Sequence, residues 1–547
     1  MQGKYLITTL GCKVNQYESE HLRSILESYG LSPASRENEA DIAIVNTCAV
    51  TSAASRKSRQ TIRRLSRHGA ASVIAVGCAA SEDAKRLEAI PGVSAVFGHD
   101  TDTVAAVRSF LEENQAFREV TREDSTADAD SIPVNSIPVN HSPGDQSHAV
   151  EPPSDHTQPD EQQSRSQNRN VGLTVETSET RNKGWMMPAP AASSTADTDR
   201  ILPPQFPIVN RDQALNSRID VFHGHQRAFL KVQDGCDAFC TYCIIPRLRP
   251  ALRWKPIEAA VAEACGLVAN GHKEIIITGI FLGAYGRETA IRKRFSGGRS
   301  PLAALVRALA RVEGLERLRL SSLEPGDVDD ELLDVLAEEP ACVPHLHLPL
   351  QAGSPEILRR MNRQYTRDDF DAMIERTRRR LDRPAISTDI IVGFPGETDE
   401  DFEASLEAAR FAEFVKIHAF PFSPRERTAA ARRQKEFVKS GVAQDRMNEM
   451  ARLEAELSLA YRRQFVGETE RVLIEQEENI VNGMLIPSDT RQGRTDRYFA
   501  VHFEDASAEA GDLVTVRIDR VTPSRTHGTV IRESSGRYPL AVLPANS

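Results

Sequence analysis

No stretch of this 547-residue chain stays apolar over the ~20 residues that a membrane-spanning helix needs. The opening Met1-Gln-Gly-Lys-Tyr5 has no charged segment followed by an apolar one, so no secretory signal is expected. Cysteine is scarce, with eight residues, too few for a disulfide scaffold in a chain of this length. Without a secretory signal, ligation or catalysis is the better use for them, and a reducing, cytoplasmic setting is expected. Positive charge is also short: 68 Lys and Arg face 78 Asp and Glu. That balance argues against a protein coated with nucleic acid and shifts attention to local basic segments. Three such segments stand out. Arg56, Lys57, Arg59, Arg63, Arg64 and Arg67 share one predicted helix; Arg247, Arg249, Arg253 and Lys255 form a second run, and Arg359, Arg360 and Arg363 a third. Each is read either as a phosphate contact or as a solvated face.

Aromatic residues are missing altogether between Phe117 and Trp185. Ser, Asp, Pro, Gln, Asn and Thr dominate there, and Ser-Ile-Pro-Val-Asn stands twice in tandem, from Ser131 and from Ser136. Such a segment buries too little apolar surface to offset its ordering entropy, so 119–210 is expected to be a disordered insert.

What is present on either side is alternating β and α pattern. Short apolar runs at 3–10, 40–48, 72–78 and 93–98, with helical spacing between them, predict a parallel α/β domain over 1–118. From 227 the alternation resumes, with strands expected at 227–233, 273–279, 316–322, 345–350, 386–393 and 415–421. Six units fit an open, partial (β/α)6 barrel over 211–463, closed by a helix at about 440–464. Period-two patterning then takes over at 470–476, 498–503, 512–521 and 526–532, with turns at Asn482-Gly483 and Gly511-Asp512. That predicts a small β-barrel over 464–535, ahead of a tail at 536–547. Small barrels of this kind often bind nucleic acid on a strand face.

The cysteines fall into two sets. Cys236, Cys240 and Cys243 have the spacing C-x3-C-x2-C directly after the first barrel strand. One loop can present three soft thiolates to one centre, which suits an iron–sulfur cluster. Three ligands for four irons leave one iron open, as a catalytic zinc keeps an open position. A zinc loop and chance clustering are the alternatives. The second set is Cys12, Cys48 and Cys78, each at the end of a predicted strand of the first domain. Neighbouring parallel strands bring such ends to one sheet edge, the usual ligand edge. Three buried structural cysteines are the alternative there.

The quoted motifs resemble those of the radical S-adenosylmethionine (SAM) methylthiotransferases. Thr9-Leu-Gly-Cys-Lys-Val-Asn-Gln-Tyr-Glu18, Asn46-Thr-Cys-Ala-Val-Thr51 and Arg56-Lys-Ser-Arg-Gln60 are similar to that family's first domain. Gly235-Cys-Asp-Ala-Phe-Cys-Thr-Tyr-Cys-Ile-Ile-Pro246, Thr278-Gly-Ile-Phe-Leu-Gly-Ala-Tyr-Gly286 and His345-Leu-His-Leu-Pro-Leu-Gln351 are similar to its radical SAM core. The final barrel resembles a TRAM domain, an RNA-binding module. Lys13-Val14-Asn15-Gln16 looks most like the branch acting on N6-threonylcarbamoyladenosine (t6A) at position 37 of tRNA. The match covers about 3–115 and 220–533.

The resemblance implies two [4Fe-4S] clusters and SAM. Cys236, Cys240 and Cys243 would hold the cluster that binds SAM, and Cys12, Cys48 and Cys78 the auxiliary cluster. One SAM would methylate a sulfur on the auxiliary cluster; a second would give the deoxyadenosyl radical that activates C2–H of the adenosine. By the same likeness Tyr242, Thr278, Gly279, Gln351, Gly393 and Gly396 are expected at SAM. The implied partners are the anticodon stem-loop of tRNA and an electron donor such as flavodoxin or ferredoxin, with the sulfur donor open. Rival readings keep the chemistry on isopentenyl-adenosine tRNA or a ribosomal protein aspartate, or keep only an RNA-binding fold.

Other residues are read from pattern alone. Cys265 lies among Ile257, Ala260, Val261, Ala264 and Val268 and is expected in a core; Cys342 is expected to be structural. His345 and His347 either line the barrel or are satisfied core residues. Glu324 either touches SAM or caps a helix. His99 and His418 carry no signal alone. Three stretches depart from the family pattern: Arg247–Lys255, Phe281 where histidine is common, and Arg425–Thr428, which lacks the usual glycine before the threonine.

Overall fold

The computed structural model describes residues 3–68, 72–114, 215, 218–292, 300–475, 480–481, 484–485, 490–505 and 507–532. The expected insert 119–210, the Asn482-Gly483 turn and the tail 536–547 lie outside the described residues. Among the described residues no helix is long and apolar enough to cross a membrane.

The first sheet holds β1 (Lys4–Thr9), β2 (Ser32–Pro33), β3 (Ile42–Thr47), β4 (Ser72–Gly77) and β5 (Val93–Phe97), in the order β2-β1-β3-β4-β5. Every pairing is parallel. Helices cover both faces, so β3 is buried at every residue and reads as one apolar run. On one face α1 (Lys13–Ser28) contributes Leu22, Ile25 and Leu26 against Ile42 and Ile44. On the other, α2 (Ser52–His68) sets Ile62 and Leu65 against Ala43, Val45 and Val73.

The central strands are β6 (Arg227–Asp234), β7 (Arg253–Trp254), β8 (Glu274–Gly279), β9 (Arg317–Leu320), β10 (His345–His347), β11 (Ala385–Val392) and β12 (Lys416–Pro421). They form β7-β6-β8-β9 and β10-β11-β12, and the parallel bridges Leu318–Cys342 and Ser322–His347 join the two groups. Six parallel strands therefore run in order around an open barrel, with only β7 antiparallel at its edge. The alternation of side chains sorts them by face. Leu346, Ile386, Ile390 and Ile417 pack under the outer helices, and His345, His347, Ser387, Asp389 and His418 turn inward.

The last barrel is closed, in the order β13-β16-β17-β19-β18, from β13 (Thr469–Glu475), β16 (Thr490–Thr495), β17 (Ala500–Glu504), β18 (Leu513–Val521) and β19 (Thr526–Val530); β14 (Ile480–Val481) and β15 (Met484–Leu485) pair separately. Its core of Val472, Ile474, Val501, Phe503, Val516 and Ile518 extends onto Tyr461 of the preceding helix Ser440–Arg463 and onto Phe465 just past its end. It is seated on the strand starts of the central barrel. Arg317 and Arg319, both buried, donate to the carbonyls of Arg494 and Asp496 and pair with Glu274. The Tyr498 ring stacks on His345 at 4.7 Å.

One expectation fails here. Cys265 is exposed, not in a core. The helix Ile257–Ala269 buries Ala260, Glu263, Ala264 and Leu267 instead. Glu263 pairs with buried Lys255 and accepts from Tyr17 Oη at 2.9 Å. A charged residue satisfied in this way turns the buried stripe away from position 265. Cys342 is buried, as expected.

Candidate active site: two cysteine triads

Cys12, Cys48 and Cys78 stand just past the C-terminal ends of β1, β3 and β4, three neighbouring strands of one sheet. Two asparagines tie these ends together. Asn15 Nδ2 donates to Leu10 O and Thr47 O, both at 2.9 Å, and Asn46 Nδ2 donates to Asn15 O at 2.9 Å. Cys12 Sγ donates to Asn15 Oδ1 at 3.5 Å, and Ser58 Oγ accepts from Cys48 N at 3.2 Å. Gly11 and Gly77 precede two of the cysteines because nothing larger fits. A Cβ on Gly11 would lie 2.9 Å from Cys48 Cβ, and one on Gly77 would lie 2.4 Å from Asn46 Oδ1. Cys78 Sγ lies 3.6 Å from His99 Nε2. Burial raises the Cys48 thiol and pushes the Cys78 thiol up to about 12.

The second triad sits on the loop after β6. Gln233, fully buried, donates to Asp234 O and Gly235 O at 3.0 and 2.8 Å and accepts from Phe281 N at 2.8 Å. That one side chain ties the cysteine loop to the end of β8. Cys236 N donates to Arg249 O at 3.0 Å, and Thr241 is fixed by Met361 O and Arg360 O. Arg363 donates to Cys240 Sγ at 3.2 Å and to Tyr242 Oη at 3.1 Å while pairing with Glu324. Glu324 also caps the short turn Pro325–Asp327, so the capping reading holds for it. Burial raises all three thiols, Cys243 to about 12.

The two triads adjoin. Cys78 and Ala79 pack in one apolar cluster with Ile244, the residue after Cys243, and with Ala49, the residue after Cys48. All eight cysteines are free thiols, and among the described residues no three His, Cys, Asp or Glu side chains converge as a single metal ion would require. The donor chemistry fits iron–sulfur ligation: buried thiolates are costly alone and become favourable beside a cationic centre.

The remaining expected site residues lie at the same C-terminal rim of the barrel. Thr278 and Gly279 end β8, with Gly279 against Gln233. Gln351 bridges to β11, donating to Asp389 O at 2.8 Å. Gly393 N donates to Glu397 Oε2 at 2.7 Å and Gly396 N to Glu436 O at 2.8 Å, fixing the turn between them. Tyr242 packs against the cluster of Ala352 and Phe394, next to Gln351 and within that turn. The basic runs divide. Arg249, Lys255 and Arg363 are buried in ion pairs and are not phosphate contacts, whereas Arg359 is exposed beside Glu356. At the third departure, Arg427 takes φ 69°, the left-handed conformation that the missing glycine would adopt without strain. Arg425 is buried, pairing with Glu82 and donating to Ser55 Oγ at 3.1 Å, which fastens this loop to the first domain. Gln233, Asn15, Asn46, Arg249 and Arg425 carry no site signal in the sequence, because each has a partner at least 31 positions away along the chain.

Comparison with known proteins agrees with this architecture. The radical SAM superfamily model matches residues 230–409, the model of the uncharacterized protein family UPF0004 matches 4–98, and the TRAM domain model matches 463–531. The threonylcarbamoyladenosine tRNA methylthiotransferase MtaB of Bacillus subtilis (strain 168) is 30% identical over 530 residues, covering 96% of this chain and 95% of that protein. MtaB of Thermotoga maritima is 30% identical over 514 residues, covering 94% and 93%. A tRNA-2-methylthio-N(6)-dimethylallyladenosine synthase from Parafrankia sp. (strain EAN1pec) is 30% identical over 533 residues, covering 96% and 89%. This chain belongs to the radical SAM methylthiotransferase family, enzymes of tRNA modification that work with SAM and iron–sulfur clusters.

Proposed function

We propose that this chain attaches a methylthio group to C2 of t6A at position 37 of tRNA, in the cytoplasm. Cys236, Cys240 and Cys243 would hold the [4Fe-4S] cluster that binds SAM, and Cys12, Cys48 and Cys78 the auxiliary one. The observation that carries this reading is the apolar cluster shared by Cys78 and Ile244, which sets the two triads side by side. When bound, the two clusters and SAM supply the radical and the sulfur-bearing methyl group that a non-acidic aromatic C2–H requires.

The chain's own residues position and shield. Arg363 sets a positive charge and a hydrogen bond on the Cys240 thiolate. Asn15 and Asn46 hold the Cys12 and Cys48 backbones in register. Tyr242, Thr278, Gly279, Gln351, Gly393 and Gly396 line the rim on which SAM would rest. Ala49, Ala79, Ile244 and Leu248 keep water from the junction between the triads. The closed C-terminal barrel would bind the anticodon stem-loop. A one-electron donor of the flavodoxin or ferredoxin kind, and a sulfur donor, complete the reaction.

Relatives named for t6A and for dimethylallyladenosine match at the same 30% identity. The barrel interior favours t6A. A threonylcarbamoyl group carries a urea, a hydroxyl and a carboxylate, whereas a dimethylallyl group is apolar. His347, Ser387, Asp389 and His418 make a polar interior. Anaerobically reconstituted protein should methylthiolate a t6A37 stem-loop and leave an isopentenyl-adenosine stem-loop unchanged; the reverse preference would reject the substrate.

A further inference from the structure

Phe420 lies on β12 two residues beyond His418, so strand alternation turns both side chains into the barrel. The register pairs Asp389 with His418 and, one layer nearer the rim, Ile391 with Phe420. In the lower layer His347 Nε2 lies 3.3 Å from Asp389 Oδ2 and Nδ1 lies 3.0 Å from Ser387 Oγ. The His347 and His418 rings are 5.8 Å apart. Burial opposes ionisation of Asp389, but the His347 hydrogen bond and the charges of His347, His418 and Lys13 outweigh it and hold its carboxyl below the usual range.

This part of the barrel is open. The Asp389 side chain keeps 30% of its surface exposed, and Phe420 keeps 46%. Among the described residues Phe420 joins no apolar cluster and no ring pair, although Phe422 packs against Phe394 and Phe437 at 5.5 and 5.6 Å. An aromatic face left bare inside a barrel mouth, above a floor of donors and acceptors, suits a flat ring with a polar substituent. An enzyme that acts on C2 of a base must first take that base out of its stack. We infer that Phe420 is the stacking platform for the extruded adenine and that the His347–Asp389–His418 layer beneath it receives the polar group on N6. The inference rests on the tRNA reading above and adds a base pocket to it. It involves no bond making: Phe420 and the layer below position the base.

The test is a binding cycle on the full-length, anaerobically reconstituted protein without SAM, read by fluorescence anisotropy. One stem-loop carries t6A37 and the other is abasic at that position. Stacking on an aromatic makes Phe420→Ala weaken the t6A37 stem-loop about ten-fold. The abasic stem-loop should bind wild type at least as weakly as that, and Phe420→Ala should not weaken it further. Phe420→Trp should bind t6A37 as wild type does. Phe420→Leu, which keeps the bulk without the π face, should match Phe420→Ala and serves in its place if the alanine variant loses iron or melts early. Losses that simply add, or a leucine variant that binds as wild type, would overturn the stacking role. A wild-type protein that binds neither stem-loop would overturn the tRNA reading, and this pocket with it.

Discussion

Arg249 grips Glu18 with both terminal nitrogens, Nη1 to Oε1 at 2.8 Å and Nη2 to Oε2 at 2.9 Å. Glu18 is six residues past Cys12 and Arg249 six past Cys243. The same arginine bonds Asp234 at 2.8 Å, and its carbonyl accepts from Cys236 N. One residue thus fixes each cysteine triad relative to the other. A fork of this kind is stiff, and its strength lies in geometry as well as charge. Breaking a buried pair strands the partner charge, so Arg249→Ala should cost about 3–5 kcal/mol. Chemical denaturation would measure it. Arg249→Lys keeps the charge without the fork and should fall between; a lysine variant as stable as wild type would show that the fork does not matter.

Gly77 takes φ 91° and ψ −157°, a region open essentially to glycine alone. Gly77→Ala should cost about 1–3 kcal/mol in backbone strain. It would also drive Asn46 from its place, because the new Cβ would fall 2.4 Å from Asn46 Oδ1. Thermal melting and iron content together check this. The expected result is a lower melting temperature with iron lost from the auxiliary site; unchanged iron would mean that Asn46 does not organise that site.

Tyr498 sits among three guanidinium groups, with those of Arg494, Arg319 and Arg227 at 4.7, 5.0 and 5.6 Å from its ring. Burial opposes its ionisation, but the charges of Arg227, Arg494 and Lys13 and a hydrogen bond from Arg227 win, bringing the phenol down to about 8. A lowered acid stabilises the fold above its ordinary value, and that contribution is lost as pH falls through the lowered one. The stability gap between wild type and Tyr498→Phe should therefore grow as pH rises from about 8 to about 10. Absorbance at the phenolate band should reveal one tyrosine titrating near pH 8 in wild type and not in the variant. No titration before pH 10 would contradict the assignment.

Removing one cysteine from each triad separates their roles. Wild type should hold about eight irons if each triad carries a four-iron cube. Cys240→Ala should lose about half and lose SAM cleavage; Cys48→Ala should lose about half and keep it. Loss of all the iron in either variant would show that the sites are not independent.

The strands of this molecule are largely legible in the sequence. The six barrel strands appear within a few residues of the ranges expected from apolar runs, because each is buried on at least one face. Thr490–Thr495 gives no strand signal because its Thr-Arg-Gln-Gly-Arg-Thr pattern carries no apolar side chain; it is a strand because β13 and β17 bracket it and supply its hydrogen bonds. The cysteines were legible by spacing. Their supports were not. Arg249 and Glu18 are 231 positions apart, Arg425 and Glu82 are 343, and no local pattern encodes such a pairing. The exposure of Cys265 has a related cause, since the Tyr17–Glu263 hydrogen bond that buries the other face of its helix spans 246 positions.

Mass spectrometry of tRNA nucleosides from a deletion strain, complemented with wild type or with Cys48→Ala, measures directly which nucleoside is changed. The expected result is loss of the methylthio form of t6A with its precursor retained, restored by wild type and not by Cys48→Ala. An undiminished methylthio-t6A pool, or a change confined to the isopentenyl species, would contradict it.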